Sequence, residues 1–280
     1  MTLDPRLHAY RPDLADAGLA GRVSAARYVE GRPHMVTAPL IDVKGAPRSD
    51  AGQTTQALMG ECVSVFAIEE GWAWCQLGRD GYVGYLPAAA IAEGSIRASH
   101  EVAVPSTFLY PAANLKSAPY ATVYMNTPLA VVEFGEKWSQ IADGRYVFTR
   151  HLRPRESAAG EPAAVAQLFE NVPYLWGGRT QLGLDCSGLV QTAFQACGRP
   201  CPRDTDMMER GLGEALPFGD PAVLERGDLV FWAGHVGIMV DRHRLIHTNG
   251  HHMLTVIEPV SDALARIAAL FGPATSYRRP

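Results

Sequence analysis

After residue 34, the first half of the chain alternates between apolar and polar positions in short runs separated by Gly, Pro and Asp. A period of two over such runs is typical of half-buried β-strands. The clearest stretch begins at Gly60 and has the pattern of a strand, a turn, a second strand that starts at Trp72, an Asp-Gly turn and a third strand. Residues 1–34 are more polar and helix-tolerant, and we treat them as an N-terminal extension. The pattern therefore predicts an all-β region.

The same order of elements occurs a second time from Thr127 onward, with Trp138 in the place of Trp72 and another Asp-Gly turn after it. A repeated supersecondary unit indicates two small domains of one kind rather than one large sheet. We therefore predict two small all-β domains, residues 35–95 and residues 96–155, with the two tryptophans in their cores.

The last part of the chain, residues 156–280, mixes helical and strand patterns. The segment from Asp185 to Gly198 has apolar residues at helical spacing, a carboxylate suited to cap the helix N-terminus and a glycine suited to end it. The apolar runs after Asp228 predict consecutive antiparallel strands. A helix followed by such strands is an α+β arrangement.

Composition and charge exclude several classes of partner. The chain is 47% hydrophobic and carries a net charge of −4 at pH 7, which gives no electrostatic basis for binding nucleic acid or an anionic membrane. No apolar run approaches the ~18 residues of a membrane span, and the charged N-terminus lacks the pattern of a secretory signal. The five scattered cysteines do not have the spacing of a disulfide framework. These features predict a cytoplasmic protein.

One cysteine and two histidines in the last part of the chain have the order expected of a thiol hydrolase. Cys186 falls in the first turn of the predicted helix, where the free N–H groups favour a thiolate and can stabilise an oxyanion. His235 and His247 lie on predicted strands that could present an imidazole to this helix end. Cys186 alone would be interpreted as a buried apolar residue, but the two histidines favour catalysis. The other four cysteines lack such partners and are predicted to be structural.

The histidines of this region also raise the question of a metal site. No HExxH motif and no pair of carboxylates accompanies them, and alternate strand positions point to opposite faces. We therefore predict no metal site and no cofactor, and we place His243, His251 and His252 at the surface.

Four ordered segments resemble the motif set of the NlpC-type cell-wall cysteine peptidases. They are Asp185-Cys-Ser-Gly-Leu-Val, Arg226-Gly-Asp-Leu-Val-Phe, His235-Val-Gly-Ile and Leu245-Ile-His-Thr. The resemblance implies that residues 156–280 form an α+β papain-like cysteine peptidase domain. It also implies that Cys186 is the nucleophile, His235 the general base and His247 the third residue, which orients the base.

The two preceding all-β domains resemble bacterial SH3-like domains. The whole arrangement resembles the γ-D-glutamyl-L-diamino-acid endopeptidases, which trim peptidoglycan stem peptides. The resemblance implies hydrolysis of L-Ala-γ-D-Glu-diamino acid peptides with a free N-terminal L-Ala, in cell-wall recycling. In that branch a carboxylate and a tyrosine of the first SH3-like domain bind the free amine, and Glu61 with Tyr82 or Tyr85 are the candidates here. The candidates for the substrate cleft are Trp176, Asp185 and Ser187.

Two positions depart from the pattern of this branch. Thr205 stands where a serine is usual and keeps a hydroxyl for the same substrate contact, whereas Gly234, directly before the base, offers no polar side chain. Glu61 could instead be a solvated carboxylate at a strand edge, and Tyr82 a half-buried barrel aromatic.

Two other functions are also compatible with the sequence: an amidase or acyltransferase on the same scaffold, and a cell-wall-binding protein with a vestigial catalytic domain. The complete Cys-His-His set favours an enzyme.

Overall fold

The computed structural model describes residues 3–280 and divides between Arg155 and Glu156 into two compact units. The first unit consists of β-strands and short 3₁₀ turns, and the second combines α-helices with a β-sheet. This order agrees with the arrangement predicted from the periodicity of the chain. None of the helices within residues 3–280 has both the length and the apolar composition that crossing a bilayer requires.

The first unit contains strands β1 to β18, most of them short and joined by tight turns. In chain order they are β1 (Tyr10–Arg11), β2 (Leu14–Asp16), β3 (Tyr28–Val29), β4 (Arg32–Val36), β5 (Leu40–Lys44), β6 (Gln53–Leu58), β7 (Cys62–Glu69), β8 (Trp72–Leu77), β9 (Val83–Pro87), β10 (Ile91–Glu93), β11 (His100–Val102), β12 (Ser106–Leu109), β13 (Ala121–Tyr124), β14 (Pro128–Leu129), β15 (Val131–Phe134), β16 (Trp138–Ile141), β17 (Tyr146–Phe148) and β18 (Leu152–Pro154).

A seven-stranded antiparallel sheet dominates the first part of this unit, in the order β10-β4-β7-β8-β9-β5-β6. Apolar side chains such as Val36, Val63 and Leu86 form its main core and are almost fully buried. Burial of this kind is the main stabilising contribution to a small β-domain. Tyr82 belongs to the same core.

The N-terminal segment does not extend away from this sheet. Its strands β1 to β3 form a small sheet of their own, and Ala9 and Leu14 pack with Trp74 in a second buried core. The Arg11 guanidinium lies 4.7 Å from the centroid of the Trp74 ring. Trp74 is therefore the buried tryptophan of β8, and Trp72, for which a core position was predicted, is only half-buried. Local alternation could not distinguish the two positions, because both lie on one face of the strand.

The second part of this unit contains smaller sheets around a core that includes Val102, Leu109 and Val147. Strands β15, β16 and β17 form an antiparallel meander, as β7, β8 and β9 do. Trp138 begins the middle strand of its meander, as Trp72 does, and is likewise half-buried. Its ring packs edge-on against other aromatic rings instead of entering the core.

The second unit contains the remaining elements. They are the helices α1 (Pro162–Gln167), α2 (Cys186–Ala196), α3 (Thr205–Gly211) and α4 (Val260–Phe271), and the strands β19 (Arg179–Thr180), β20 (Gly183–Leu184), β21 (Glu214–Ala215), β22 (Leu229–Trp232), β23 (His235–Met239), β24 (Arg244–Asn249), β25 (Leu254–Pro259) and β26 (Ser276–Arg279).

A six-stranded antiparallel sheet forms the centre of this unit, in the order β21-β26-β22-β23-β24-β25. Helix α2 packs against β23 and β24, and its side chains are almost all buried. Asp185 caps the helix by accepting a hydrogen bond from the Gly188 N–H, as predicted. Gly198 follows the helix with φ of 68°, the left-handed conformation that favours glycine after a helix C-terminus. The structure therefore places the start of α2 against the strands that carry the two histidines.

Candidate active site

Cys186 is the first residue of α2, and its sulfur lies against the start of β23. The sulfur is 3.9 Å from the Gly234 carbonyl oxygen, and it also accepts a hydrogen bond from the Val236 N–H. These two residues flank His235 in the sequence. The helix N-terminus and the candidate base are thus brought together by the packing of α2 on the sheet.

The two histidines are joined by a hydrogen bond. His235 Nε2 and His247 Nδ1 are 2.8 Å apart, and the rings meet edge-on with their centroids 5.0 Å apart. His247 is completely buried, whereas His235 is half-buried. Gly237 leaves room for this contact, because a Cβ there would lie 3.4 Å from the His247 Cβ and 2.4 Å from a methyl carbon of Leu245. The structure therefore brings Cys186, His235 and His247 to one place.

Burial of Cys186 opposes the thiolate that the helix N-terminus was predicted to favour. Burial raises the pKa of the Cys186 thiol to about 12, and the adjacent Asp185 carboxylate adds to this effect. The N–H groups of Val236 and Ser187 and the Arg203 guanidinium act in the opposite direction but are outweighed. Burial also lowers the pKa of His235 to about 3. Both shifts favour the neutral thiol and the neutral imidazole over the thiolate–imidazolium pair.

Asp185 and Ser187, predicted to line the cleft, are buried and bound to Arg203. The Arg203 guanidinium donates to both Asp185 oxygens, at 3.1 and 2.7 Å, and to the Ser187 hydroxyl at 2.6 Å. Arg203 itself is 1% exposed. Because a buried carboxylate without a cation is costly, this pair holds the start of α2 in place. Sequence reasoning missed Arg203, although it stands in the Pro-Arg-Asp-Thr segment that contains Thr205.

The loop before α2 comes unusually close to the helix. A Cβ at Gly188 would lie 2.0 Å from the Gly178 carbonyl oxygen, so only glycine fits at this helix position. The Asp185 carboxylate also accepts a hydrogen bond from the Gly177 N–H at 2.8 Å. Trp176, predicted to be a cleft wall, lies on this loop with 67% of its surface exposed. The glycines therefore fix the loop while leaving the Trp176 ring in solvent.

A carboxylate that sequence reasoning missed completes the line of hydrogen bonds. Glu258 Oε1 lies 2.6 Å from His247 Nε2, and the Arg266 guanidinium holds both Glu258 oxygens at 2.5 and 2.6 Å. Burial alone would raise the pKa of Glu258, but its bonds with Arg266 and His247 outweigh burial and hold the pKa at about 2. Pairing β24 with β25 could have revealed Glu258, because His247 lies opposite Val256 and residues 256 and 258 share a face.

A cavity of about 470 Å³ borders His235 on the side of β22 and α4. Its polar walls come from Asn249, His251 and Arg266, and its apolar walls include Ile267 and Leu270. Cys186 does not line it, whereas Tyr174 does. Burial, with Cys186 and Asp185 nearby, raises the pKa of Tyr174 to about 12, so its hydroxyl remains protonated.

The other candidate residues occupy varied environments. In the first unit, the buried Glu61 carboxylate lies 2.6 Å from the Arg79 guanidinium, and Tyr82 is 5% exposed in the core. Tyr85 is half-buried, and its hydroxyl accepts a hydrogen bond from Arg11. Thr205, in the second unit, is half-buried at the start of α3.

Two further features of the second unit bear on the sequence predictions. Gly234 has φ of 75°, which explains a glycine before the base, since side chains disfavour that conformation. His243, His251 and His252 are exposed, as predicted. Within residues 3–280, no three His, Cys, Asp or Glu side chains converge in a way that could hold a metal ion.

The chain matches two family signatures and is similar to known peptidases. The signature described as the bacterial dipeptidyl-peptidase Sh3 domain matches residues 45–91, and that of the NlpC/P60 family matches residues 171–266. The chain is similar to the γ-D-glutamyl-L-lysine dipeptidyl-peptidase of Bacillus subtilis (strain 168), with 30% identity over 216 residues, 69% of this chain and 71% of that one. It is also similar to the protein of the same name from Bacillus cereus, with 26% identity over 227 residues, 69% and 66% of the two chains.

The fold is similar to that of a crystal structure of an NlpC/P60 family protein from Bacillus cereus. The TM-score is 0.73 at 19% sequence identity, over 88% of this chain and 99% of that one. The predicted fold class, a papain-like α+β domain after an SH3-like all-β region, is thereby confirmed.

Proposed function

Because the chain belongs to the NlpC/P60 family and is a peptidase, we propose that it hydrolyses the γ-D-glutamyl–diamino acid bond of short peptidoglycan stem peptides. The observation that carries the proposal is the contact of the Cys186 sulfur with the residues around His235, which is itself bonded to His247. The names of the two dipeptidyl-peptidases to which the chain is similar support the γ-linked substrate.

The hydrogen bonds of the two imidazoles indicate how the reaction would proceed. His235 Nε2 is bonded to His247, so His235 Nδ1 is the nitrogen that would take the thiol proton as the sulfur attacks the carbonyl carbon. N–H groups at the start of α2 would stabilise the oxyanion. The imidazolium would then protonate the leaving amine, and a thioester would remain on Cys186. Water, deprotonated by His235, would hydrolyse this thioester and restore the thiol.

The cavity beside His235 would hold the leaving diamino acid. A general acid must lie next to the amine that it protonates, so the leaving group has to be on the His235 side of the sulfur. The cavity borders His235 but not Cys186, and its walls include the polar side chains of Asn249 and His251. The apolar residues of α4 would contact the methylene chain of the diamino acid.

The cytoplasm is the proposed location, and recycling of cell-wall fragments the proposed role. All five cysteines lie in the described part of the chain and are free thiols, which fits a reducing compartment. A dipeptide product would also fit a role in degrading short fragments rather than the polymer.

The proposal is tested by incubating the reduced protein with L-Ala-γ-D-Glu-meso-diaminopimelate. We expect release of the dipeptide L-Ala-γ-D-Glu and free diaminopimelate, measured by liquid chromatography with mass detection. The α-linked isomer of the same tripeptide is the matched control and should remain intact. If folded protein releases no dipeptide but turns over a panel of other amides and esters, the amidase or acyltransferase hypothesis replaces this one.

We also propose, on the resemblance, that Glu61 and Tyr82 take part in recognising the free amine of L-Ala. Glu61→Gln removes the negative charge, so KM for the free-amine tripeptide is expected to rise about tenfold, a typical loss for one charge-assisted hydrogen bond. KM for the N-acetylated tripeptide should hardly change. The measurement is steady-state kinetics on both substrates. An equal change of KM for both substrates would show that Glu61 does not bind the amine. The role of Glu61 would then be structural, through its ion pair with Arg79.

A further inference from the structure

Glu258 is the carboxylate that contacts the buried imidazole of His247, and it does not touch His235 or Cys186 directly. We infer that Glu258 is a positioning residue, which acts through His247 to fix the nitrogen of His235 that carries a proton. This inference rests on the proposed roles of Cys186 and His235.

The hydrogen bonds determine the tautomer of each ring in turn. A carboxylate can only accept, so His247 Nε2 donates to Glu258 Oε1 across 2.6 Å. Burial lowers the pKa of His247, so the ring is neutral near pH 7 and its Nδ1 has a lone pair. His235 Nε2 must then donate to His247 Nδ1 across 2.8 Å. This leaves the lone pair of His235 on Nδ1, the nitrogen that would accept the thiol proton.

Asn249 favours the opposite tautomer. Its Nδ2 lies 3.0 Å from His247 Nε2, and its Oδ1 accepts from the His252 N–H, which fixes the orientation of the amide. An amide N–H pointing at Nε2 stabilises a lone pair there, with the His247 proton on Nδ1 instead. His235 Nε2 would then have to accept, and the proton of His235 would occupy the nitrogen needed for catalysis. The shorter, charge-assisted bond to Glu258 prevents this outcome.

Arg266 keeps Glu258 in position to do this. Its two-pronged contact joins α4 to the end of β25 and occupies both carboxylate oxygens. The side chain of Glu258 is 13% exposed, so water competes little for the carboxylate. Carboxylates behind a histidine act in this way in other hydrolases, where they hold the tautomer and stabilise the imidazolium. Here the imidazole of His247 lies between the Glu258 carboxylate and the base, His235.

The test compares the full-length wild type with Glu258→Leu, which removes the acceptor, and with Glu258→Gln, which keeps one acceptor oxygen. Two-bond ¹H–¹⁵N spectra of ¹⁵N-histidine-labelled protein identify the protonated nitrogen of each ring. We expect Nε2–H on both His235 and His247 in the wild type, and Nδ1–H on both in Glu258→Leu. For the γ-linked tripeptide, kcat should fall about 100-fold in Glu258→Leu with KM within about twofold, and Glu258→Gln should recover part of kcat.

Asp262→Asn is the matched control, because it removes another carboxylate near Arg266 that does not contact His247. Its spectra and kcat should equal those of the wild type. A wild-type proton on His247 Nδ1, or a Glu258→Leu protein with wild-type tautomers or wild-type kcat, overturns the inference. If Glu258→Leu does not fold, the wild-type spectrum decides: a proton on Nε2 of both rings supports the inference, and a proton on His247 Nδ1 overturns it. The spectra need no substrate, so failure of the proposed function alone would leave the tautomer result intact.

Discussion

Replacing Cys186 with alanine is expected to lower kcat/KM for L-Ala-γ-D-Glu-meso-diaminopimelate by at least about 10⁴-fold, because no other group can form the thioester. Asp185 and Arg203 would still hold the start of α2 in place, so the fold of the site should be unchanged. The measurement is the rate of dipeptide release under reducing conditions. Cys186→Ser should be nearly as inactive, since a hydroxyl is a much weaker nucleophile than a thiol and His235 is a weak base.

The matched control for this experiment is Cys197→Ala. Cys197 directly follows the C-terminal end of the same helix and is 7% exposed, compared with 8% for Cys186, so each variant removes a thiol of similar burial at one end of α2. Cys197→Ala should retain wild-type turnover. Turnover of Cys186→Ala within tenfold of the wild type would falsify the assignment of the nucleophile.

The parts of the site that could be predicted from the sequence depend on local rules. Asp185 as N-cap, Cys186 in the first turn and the end of α2 shortly before Gly198 all follow from the chemistry of helix ends. The alternating runs predicted β23 and β24, and therefore the strands on which His235 and His247 lie. The resemblance supplied the roles of these residues, which the local pattern alone left open.

The parts that could not be predicted depend on contacts between distant segments. Arg203 reaches Asp185 from beyond the end of α2, and Arg266 reaches Glu258 from the next helix. Trp74 is buried because residues near the N-terminus cover it. The pKa of Cys186 is a further example, since the helix end favours a thiolate but burial in the folded chain has the larger effect. Burial depends on the tertiary structure, and it therefore cannot be inferred from a local sequence motif.

Replacing His235 with alanine is expected to reduce kcat by about 10³- to 10⁴-fold, because the same imidazole serves as the base for the thiol and as the acid for the leaving amine. His247→Ala should reduce kcat less, by about 10- to 100-fold with KM nearly unchanged, since it removes only the group that orients His235. His247→Gln keeps an acceptor for the His235 Nε2–H and should lie closer to the wild type. Steady-state kinetics on the γ-linked tripeptide measures all three variants.

The ranking of these variants separates the roles of the two rings. His243→Ala is the matched control, because His243 is exposed in the turn between β23 and β24 and should not affect turnover. A larger loss for His247→Ala than for His235→Ala would reverse the assignment of the two histidines. Wild-type turnover in His235→Ala would show that His235 is not the general base. The expected order follows from the geometry: His235 lies next to the residues that contact the sulfur, whereas His247 reaches the sulfur only through His235.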